Sequence, residues 1–395
     1  MARILFINSV CIGSTGTICK NLYKAAERNG HICCIAYGRG QAPNEFNTIR
    51  VGNKIDFYLH VLKARLFDAS GFGSKFATRQ LIKEIDRFKP DVIHLHNLHG
   101  YYLNIGILFT YLKAHPEIKK IWTLHDCWAF TGHCAYYTYA NCENWCNGCT
   151  GRCPNKKEYP KTFLSNIRSN YKNKNKLFKN VDNMILVTPS KWLKKEVEKS
   201  FLNEYETVVI NNGIDTNVFK YTKSNLKKVY NIEDKKIILG VASVWDKRKG
   251  LDTFLELSKF LDQEYQIVLI GLTTKQISKL PSNIIGINRT ENVQELVKWY
   301  STADIYFNPT LEDNYPTTNL EAVACGTPII TFNTGGSPES AFATENEIIF
   351  SRTVAECIEK IKGNTNIRKN NLNIDIKYMI YEYLINYFGE VVFHD

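Results

Sequence analysis

The sequence predicts an α/β protein built from two Rossmann-like domains, each a parallel sheet covered by helices. Three observations carry this reading. A chain of 395 residues exceeds what one ordinary core accommodates and suits two domains. Short apolar runs alternate with amphipathic segments from the first residues onward, the pattern of strands feeding crossover helices. The alternation breaks near residue 188 and restarts past residue 200.

In the first half, runs 3–10, 31–37, 91–96, 120–124 and 183–187 read as strands. Between the first two lies Gly13-Ser14-Thr15-Gly16, then a segment 17–28 with apolar residues at helical spacing, closed by Gly30. In the second half, 236–242, 266–271, 283–286, 304–308 and 328–332 read as strands, with helices over 251–261, 293–301 and 317–325. The polar run 363–373 reads as a linker, and Tyr378, Tyr381, Leu384, Ile385 and Phe388 recur at the spacing of a one-sided helix. The expected domains are 1–188, with a Cys-rich insertion at 127–153, then 189–373, then a terminal helix in 374–395 that packs back on the first domain.

Composition excludes several classes. Hydrophobic content of 44% and charged content of 23% belong to a chain that folds. No apolar run approaches the roughly 20 residues that span a bilayer, and the run at residues 3–7 is too short for a signal sequence, so a cytoplasmic protein is expected. The net charge of +11 is uneven, and residues 154–199 carry twelve Lys/Arg against four Asp/Glu. Such a segment fits peripheral contact with an anionic membrane or a solvated helical face. No nucleic-acid motif accompanies it, so no nucleic acid is expected.

The Gly loop at Gly13 and Gly16 lets backbone amides approach a phosphate or a sugar hydroxyl, though it is not the full dinucleotide fingerprint. The run from Asp313 through Asn314, Tyr315, Pro316, Thr317 and Thr318 to Glu321, ending in Cys325-Gly326-Thr327-Pro328, is more specific. It resembles the acid-x7-acid region of retaining glycosyltransferases of family four, whose fold is called GT-B, and their exopolysaccharide and colanic-acid-type branch. Thr123-Leu124-His125-Asp126, Ser190-Lys191, Asn212-Gly213-Ile214-Asp215, Lys249-Gly250 and Gly335-Gly336 with Pro338-Glu339 extend the resemblance in order.

The resemblance implies a deep cleft between the two domains and a C-terminal helix crossing back. It implies transfer of a hexosyl-type group, with retention, from a nucleoside diphosphate sugar to a hydroxyl of a growing, lipid-linked surface saccharide. Front-face attack, in which the leaving phosphate takes the acceptor proton, is the family's usual account, and no catalytic cofactor is implied. Pro316 is tolerated at a first helical turn and leaves the amides of Thr317 and Thr318 available to a diphosphate. Glu321 is expected to accept both ribose hydroxyls, and Lys249 with Arg248 to neutralise the leaving group. Asp313 stands where relatives usually have Glu, with Glu312 beside it, and either carboxylate can contact the donor sugar. Ser243 replaces a second basic residue common in relatives. These departures are the features that favour a non-catalytic nucleotide-sugar-binding partner protein; a phosphorylase or epimerase is the alternative within enzymes.

The resemblance places His125 at the reacting sugar, where a neutral imidazole can hydrogen-bond a hydroxyl. His94 and His96 share a strand face, with His99 just beyond; they are expected to line the acceptor side, with packing at a strand end the plainer alternative. Six of the twelve cysteines fall between Cys127 and Cys153. Cys134, Cys142, Cys149 and Cys153 match a structural zinc knuckle with Cys146 spare, and an iron–sulfur cluster or labile disulfides are alternatives.

Overall fold

Strands covered on both faces need continuous apolar runs, and the runs at 3–10 and 236–241 supply them. The computed structural model describes residues 1–342, 347–363 and 373–389. The chain forms two compact units, Met1–Asn211 joined by the chain from Met379 on, and Asn212–Tyr378.

The first unit contains β1 (Arg3–Val10), α1 (Gly13–Arg28), β2 (Ile32–Arg39), β3 (Thr48–Arg50), α2 (Lys54–Phe67), α3 (Lys75–Phe88) and β4 (Val92–Leu95). It continues with α4 (Ile105–Ala114), β5 (Lys119–Thr123), α5 (Ile167–Phe178), β6 (Met184–Thr188), α6 (Lys191–Glu198) and β7 (Thr207–Val209). Its strands lie in the order β3-β2-β1-β4-β5-β6-β7, all pairs parallel. β7 pairs with β6 through Leu186↔Thr207, so the expected boundary at 188 moves to 211. A third strand and a seventh are each only three residues long, too short for their apolar residues to mark them.

The second unit contains α7 (Leu226–Val229), β8 (Lys236–Val241), α8 (Leu251–Leu257), β9 (Tyr265–Ile270), α9 (Thr274–Ile277), β10 (Ile284–Ile287) and α10 (Val293–Thr302). After these come β11 (Ile305–Asn308), α11 (Thr317–Ala324), β12 (Ile329–Phe332), α12 (Ser337–Ala341), β13 (Ile348–Ile349) and α13 (Val354–Gly363), and the chain then enters α14 (Ile376–Phe388), which starts in this unit and runs into the first. The parallel order is β10-β9-β8-β11-β12-β13. Alternation along the strands feeds two cores. Leu239 and Val268 pack with Trp299, Tyr300 and Leu320 on one face, and Ile238 and Ile267 pack with Phe254, Phe307 and Phe332 on the other. Each large apolar side chain so buried contributes about 1.5–3 kcal/mol. The expected linker 363–373 falls almost wholly outside the described residues.

From Met379 on, α14 belongs to the first unit. It buries Met379, Tyr383, Leu384 and Tyr387, a stripe rotated from the expected one, and Tyr378 and Tyr381 are exposed. The reason is polar. Tyr387 Oη bonds His94 Nδ1 at 2.6 Å and Tyr383 Oη bonds Thr123 Oγ1 at 2.9 Å, so the tyrosines with buried partners face inward.

Candidate functional site

In a doubly wound sheet, ligands bind beyond the carboxyl ends of the strands where the order reverses. The second unit reverses between β8 and β11, the first between β1 and β4. Residues expected to carry chemistry lie at both places.

In the second unit the chain leaves β8 and makes a 3-10 turn at Lys247–Lys249, whose amide at Lys249 is capped by Asp246 Oδ1 at 3.0 Å. Gly250 follows at φ +78°, and a Cβ there would sit 2.3 Å from the Pro309 carbonyl oxygen. Only glycine combines that backbone with that approach. The turn is thereby pressed onto the loop after β11. Leu311 N donates to Arg248 O at 2.8 Å, and an Arg248 guanidinium N–H donates to Glu312 O at 3.2 Å. Lys249 Nζ is ion-paired with Asp313 Oδ2. The shorter carboxylate at 313 therefore reaches its cation, whereas Glu312 is buried.

The loop then enters α11 at Pro316, with φ −64° and no side-chain cap. An uncapped helix start leaves first-turn amides seeking an acceptor. One turn on, Glu321 is half-buried; its Oε2 accepts from Tyr300 Oη at 2.9 Å, and burial pushes its carboxyl up to about 7 against the pull of Tyr300 and Thr317. The helix is held by a network that sequence reading missed. Asn319 Oδ1 accepts from Asn308 Nδ2 at 2.7 Å, and Asn319 Nδ2 donates to Ser337 O at 3.1 Å and Ser340 Oγ at 2.9 Å. A fully buried asparagine in an otherwise apolar helix face, with serines three apart on α12, was the available signal. Thus Arg248, Lys249, Glu312, Asp313, Thr317, Thr318 and Glu321 come together.

Gly13 and Gly16 lie in the first unit, at the start of α1. Gly16 is required for packing: a Cβ there would sit 2.4 Å from the Cys11 carbonyl carbon. Asn8 at the end of β1 ties this turn to the next, donating to Val10 O at 3.0 Å while its Oδ1 accepts the Asn97 amide at 3.3 Å.

Beyond β4 and β5 the histidines separate into two roles. His96 Nδ1 lies 3.0 Å from His125 Nε2, with the rings stacked at 12°. His99 Nε2 bonds Asp126 Oδ2 at 2.8 Å, and its Nδ1 bonds Tyr159 Oη at 2.9 Å. His96, His99, His125 and Asp126 line one small pocket with Trp122 and Trp128. His94 does not join them. It is fully buried between Tyr387 and Thr123, with Nε2 2.8 Å from Thr123 Oγ1, which places it in the packing of α14 and off the expected acceptor side. Burial holds His125 down to about 4 and His96 well below the usual histidine range, so both are neutral near pH 7. Burial alone would raise Asp126, but the charge and hydrogen bond of His99 and the Trp128 amide hold it below the usual range. Among the described residues, His96 Nε2 is buried without a hydrogen-bond partner.

The expected zinc knuckle finds no support. Among the described residues no group of three or more His, Cys, Asp or Glu side chains is placed to hold a metal ion, and Cys134, Cys142, Cys149 and Cys153 are free thiols. The loop is anchored by packing instead. Trp145 sits 5.1 Å from both the Phe130 and Tyr137 rings. Buried Lys174 donates to Trp128 O at 2.7 Å and Thr131 O at 3.0 Å, over the Trp128 ring. Reading the insertion by its cysteines hid these aromatics.

Residues 15–218 match the family described as Glycosyltransferase Family 4, and residues 235–363 match Glycosyl transferases group 1. The chain is 24% identical over 364 residues to a putative colanic acid biosynthesis glycosyl transferase, WcaC, of Escherichia coli, covering 89% of this chain and 87% of that protein. A stretch of 144 residues, 34% of this chain and 39% of the relative, is 29% identical to the O-antigen biosynthesis glycosyltransferase WclY of Escherichia coli. Among solved structures, Anabaena HepE in complex with UDP and glucose superposes with a TM-score of 0.64 at 13% identity, covering 97% of this chain and 98% of that one. WaaG, a glycosyltransferase involved in lipopolysaccharide biosynthesis, superposes with a TM-score of 0.59 at 14% identity, covering 95% of this chain and 93% of that one. Both have the GT-B fold of two parallel-sheet α/β domains.

Proposed function

The chain belongs to glycosyltransferase family 4, and from that premise we propose that it moves a hexosyl-type group, with retention, from a nucleoside diphosphate sugar to a hydroxyl of a growing, lipid-linked surface saccharide. The observation that carries the reading is the Lys249–Asp313 ion pair beside the uncapped start of α11 and one turn from Glu321. Lys249 has three ammonium protons. One is engaged by Asp313, leaving two for oxygens of the diphosphate, whose charge grows as the sugar–oxygen bond breaks. The amides of Thr317 and Thr318 complete a cradle of fixed dipoles that needs no metal ion. Glu321, ionised, accepts both ribose hydroxyls. Asp313, steered by Lys249, is placed to contact the donor sugar.

The acceptor side is assigned to the pocket of His96, His99 and His125. A neutral His125 hydrogen-bonds a sugar hydroxyl and cannot serve as the charged acid. In the transfer, the anomeric carbon loses its bond to the phosphate oxygen and gains one to the acceptor oxygen on the same face. The departing phosphate takes the acceptor proton, so the ledger of protons closes without a protein base. Among the described residues no helix is long and apolar enough to cross a membrane.

A thermal-shift screen of nucleoside diphosphate sugars tests the donor, because a ligand that binds only the folded state raises the melting temperature. NMR of the product then reads the anomeric configuration. An inverted product would overturn retention, and no shift with any nucleoside diphosphate would overturn the donor site.

A further inference from the structure

Helix α2 is built inside out. Its buried residues are His60 and Ala64, while Ile55 (70% exposed), Tyr58 (67%), Leu59 (61%), Leu62 (54%) and Leu66 face solvent. These five recur every three to four residues and form one apolar stripe along the helix. The inward face explains the inversion: His60 Nε2 accepts the Gly73 amide at 3.1 Å and Nδ1 bonds Ser74 Oγ at 2.9 Å, fixing the turn that starts α3. Phe76, in the first turn of α3, is also exposed. At the other end of α2, the Phe163 amide donates to Arg65 O at 2.7 Å and Thr162 Oγ1 to the same oxygen at 3.1 Å. The loop so pinned presents Phe163 and Leu164 to solvent, 73% and 61% exposed.

The stripe of α2 and the loop pinned to its end thus gather more exposed apolar residues than the isolated exposed leucines of an ordinary protein. Its surroundings are basic. Lys54 and Lys63 on α2, Lys75 on α3, and Lys156, Lys157 and Lys161 ahead of Phe163 are all exposed. Over α2 and residues 154–168, Lys54, Lys63, Arg65, Lys156, Lys157, Lys161 and Arg168 face only two acidic residues outside the buried core, Asp56 and Glu158. The combination selects among occupants. A second copy of the chain across a two-fold axis would set these cations against themselves. Nucleic acid would satisfy the lysines and leave the leucines in water. An anionic lipid surface takes both, the stripe at the acyl boundary and the ammonium groups among the headgroups.

We propose that α2 and the 162–164 loop form a docking surface for an anionic lipid bilayer, with Ile55, Tyr58, Leu59, Leu62 and Phe163 entering the interface and the flanking lysines contacting its headgroups. The surface differs from the one expected from charge alone. Of the basic segment 154–199, only its beginning borders exposed apolar residues; the lysines of α5 and α6 belong to helices whose apolar residues are buried or half-buried. The proposal goes beyond the transfer reaction and does not depend on it.

The test is co-sedimentation of the full chain with phosphatidylcholine vesicles, with and without phosphatidylglycerol. Binding to the anionic vesicles about tenfold tighter than to the neutral ones is expected, weakening with salt but not vanishing. L59D/L62D should lose at least about tenfold in that binding, with its melting temperature and nucleoside diphosphate binding unchanged, since both side chains already face water. K172E/K176E on α5 serves as the control and should bind within about twofold of the unaltered chain. The proposal is overturned if the unaltered chain ignores anionic vesicles, if L59D/L62D binds as well, or if only K172E/K176E loses binding. A dimer dispersed by L59D/L62D without any vesicle binding would assign the face to a second copy and overturn it too. Failure of donor binding in the unaltered chain would instead count against the donor site.

Discussion

Replacing Lys249 by Ala separates what the ion pair does for the fold from what the cation does for the reaction. The Lys249 side chain is 25% exposed and Asp313 13%, so the pair lies between the surface case, worth about 0–1 kcal/mol, and the fully buried case, where losing one partner costs about 3–5 kcal/mol. An intermediate loss of about 1–3 kcal/mol follows, which for a unit of this size lowers the melting temperature by roughly 2–12 °C. D313N in the same chain removes the stranded charge and should recover most of that loss. Sugar transfer should behave differently. An electrostatic donor aimed at developing charge is worth about 100–1,000-fold in turnover, and neither K249A nor K249A/D313N has it. Scanning calorimetry and a nucleotide-release assay on the same preparations check both. Transfer by K249A within about threefold of the unaltered chain, or transfer restored by D313N, would refute the reasoning.

Burial raises Glu321 from 4.5 to about 7 in the free protein, so ionising it there opposes folding as pH rises from 4.5 through 7. Bound ribose hydroxyls favour the carboxylate, so donor affinity should fall by up to about tenfold per unit as pH drops below 7; E321Q should flatten that dependence in titrations between pH 5.5 and 8. H125A should lower turnover by about tenfold or more while leaving nucleoside diphosphate affinity within about twofold, because His125 belongs to the first unit; equal losses would make it a donor-binding residue. W145A should destabilise the first unit by about 3–5 kcal/mol and open the 127–153 loop to proteolysis, whereas C146S, at an exposed position, should leave both unchanged.

The cluster around Lys249 and Asp313 was legible because it is local. Asp313 to Glu321 occupy one loop and one helix, and Lys249 sits on the turn after a neighbouring strand. What failed was decided by partners far along the chain. His94 and His96 look equivalent two residues apart on β4, yet Tyr387, 293 residues away, covers one and not the other. The inward stripe of α14 was misplaced because apolarity was counted where tyrosine hydroxyls decide the phase. The 127–153 insertion was read through its cysteines, although Phe130, Tyr137 and Trp145 join the first unit's core. The outward leucines of α2 have the spacing of a core helix, and only the buried His60 shows that the helix is turned over.

Amide hydrogen exchange with and without a nucleoside diphosphate tests the central claim most directly. The account predicts slowed exchange at residues 247–250 and 313–321, strongest at Thr317 and Thr318, and a loss of that protection in K249A. Protection confined to the first unit, or none at the start of α11 under saturating ligand, would contradict it.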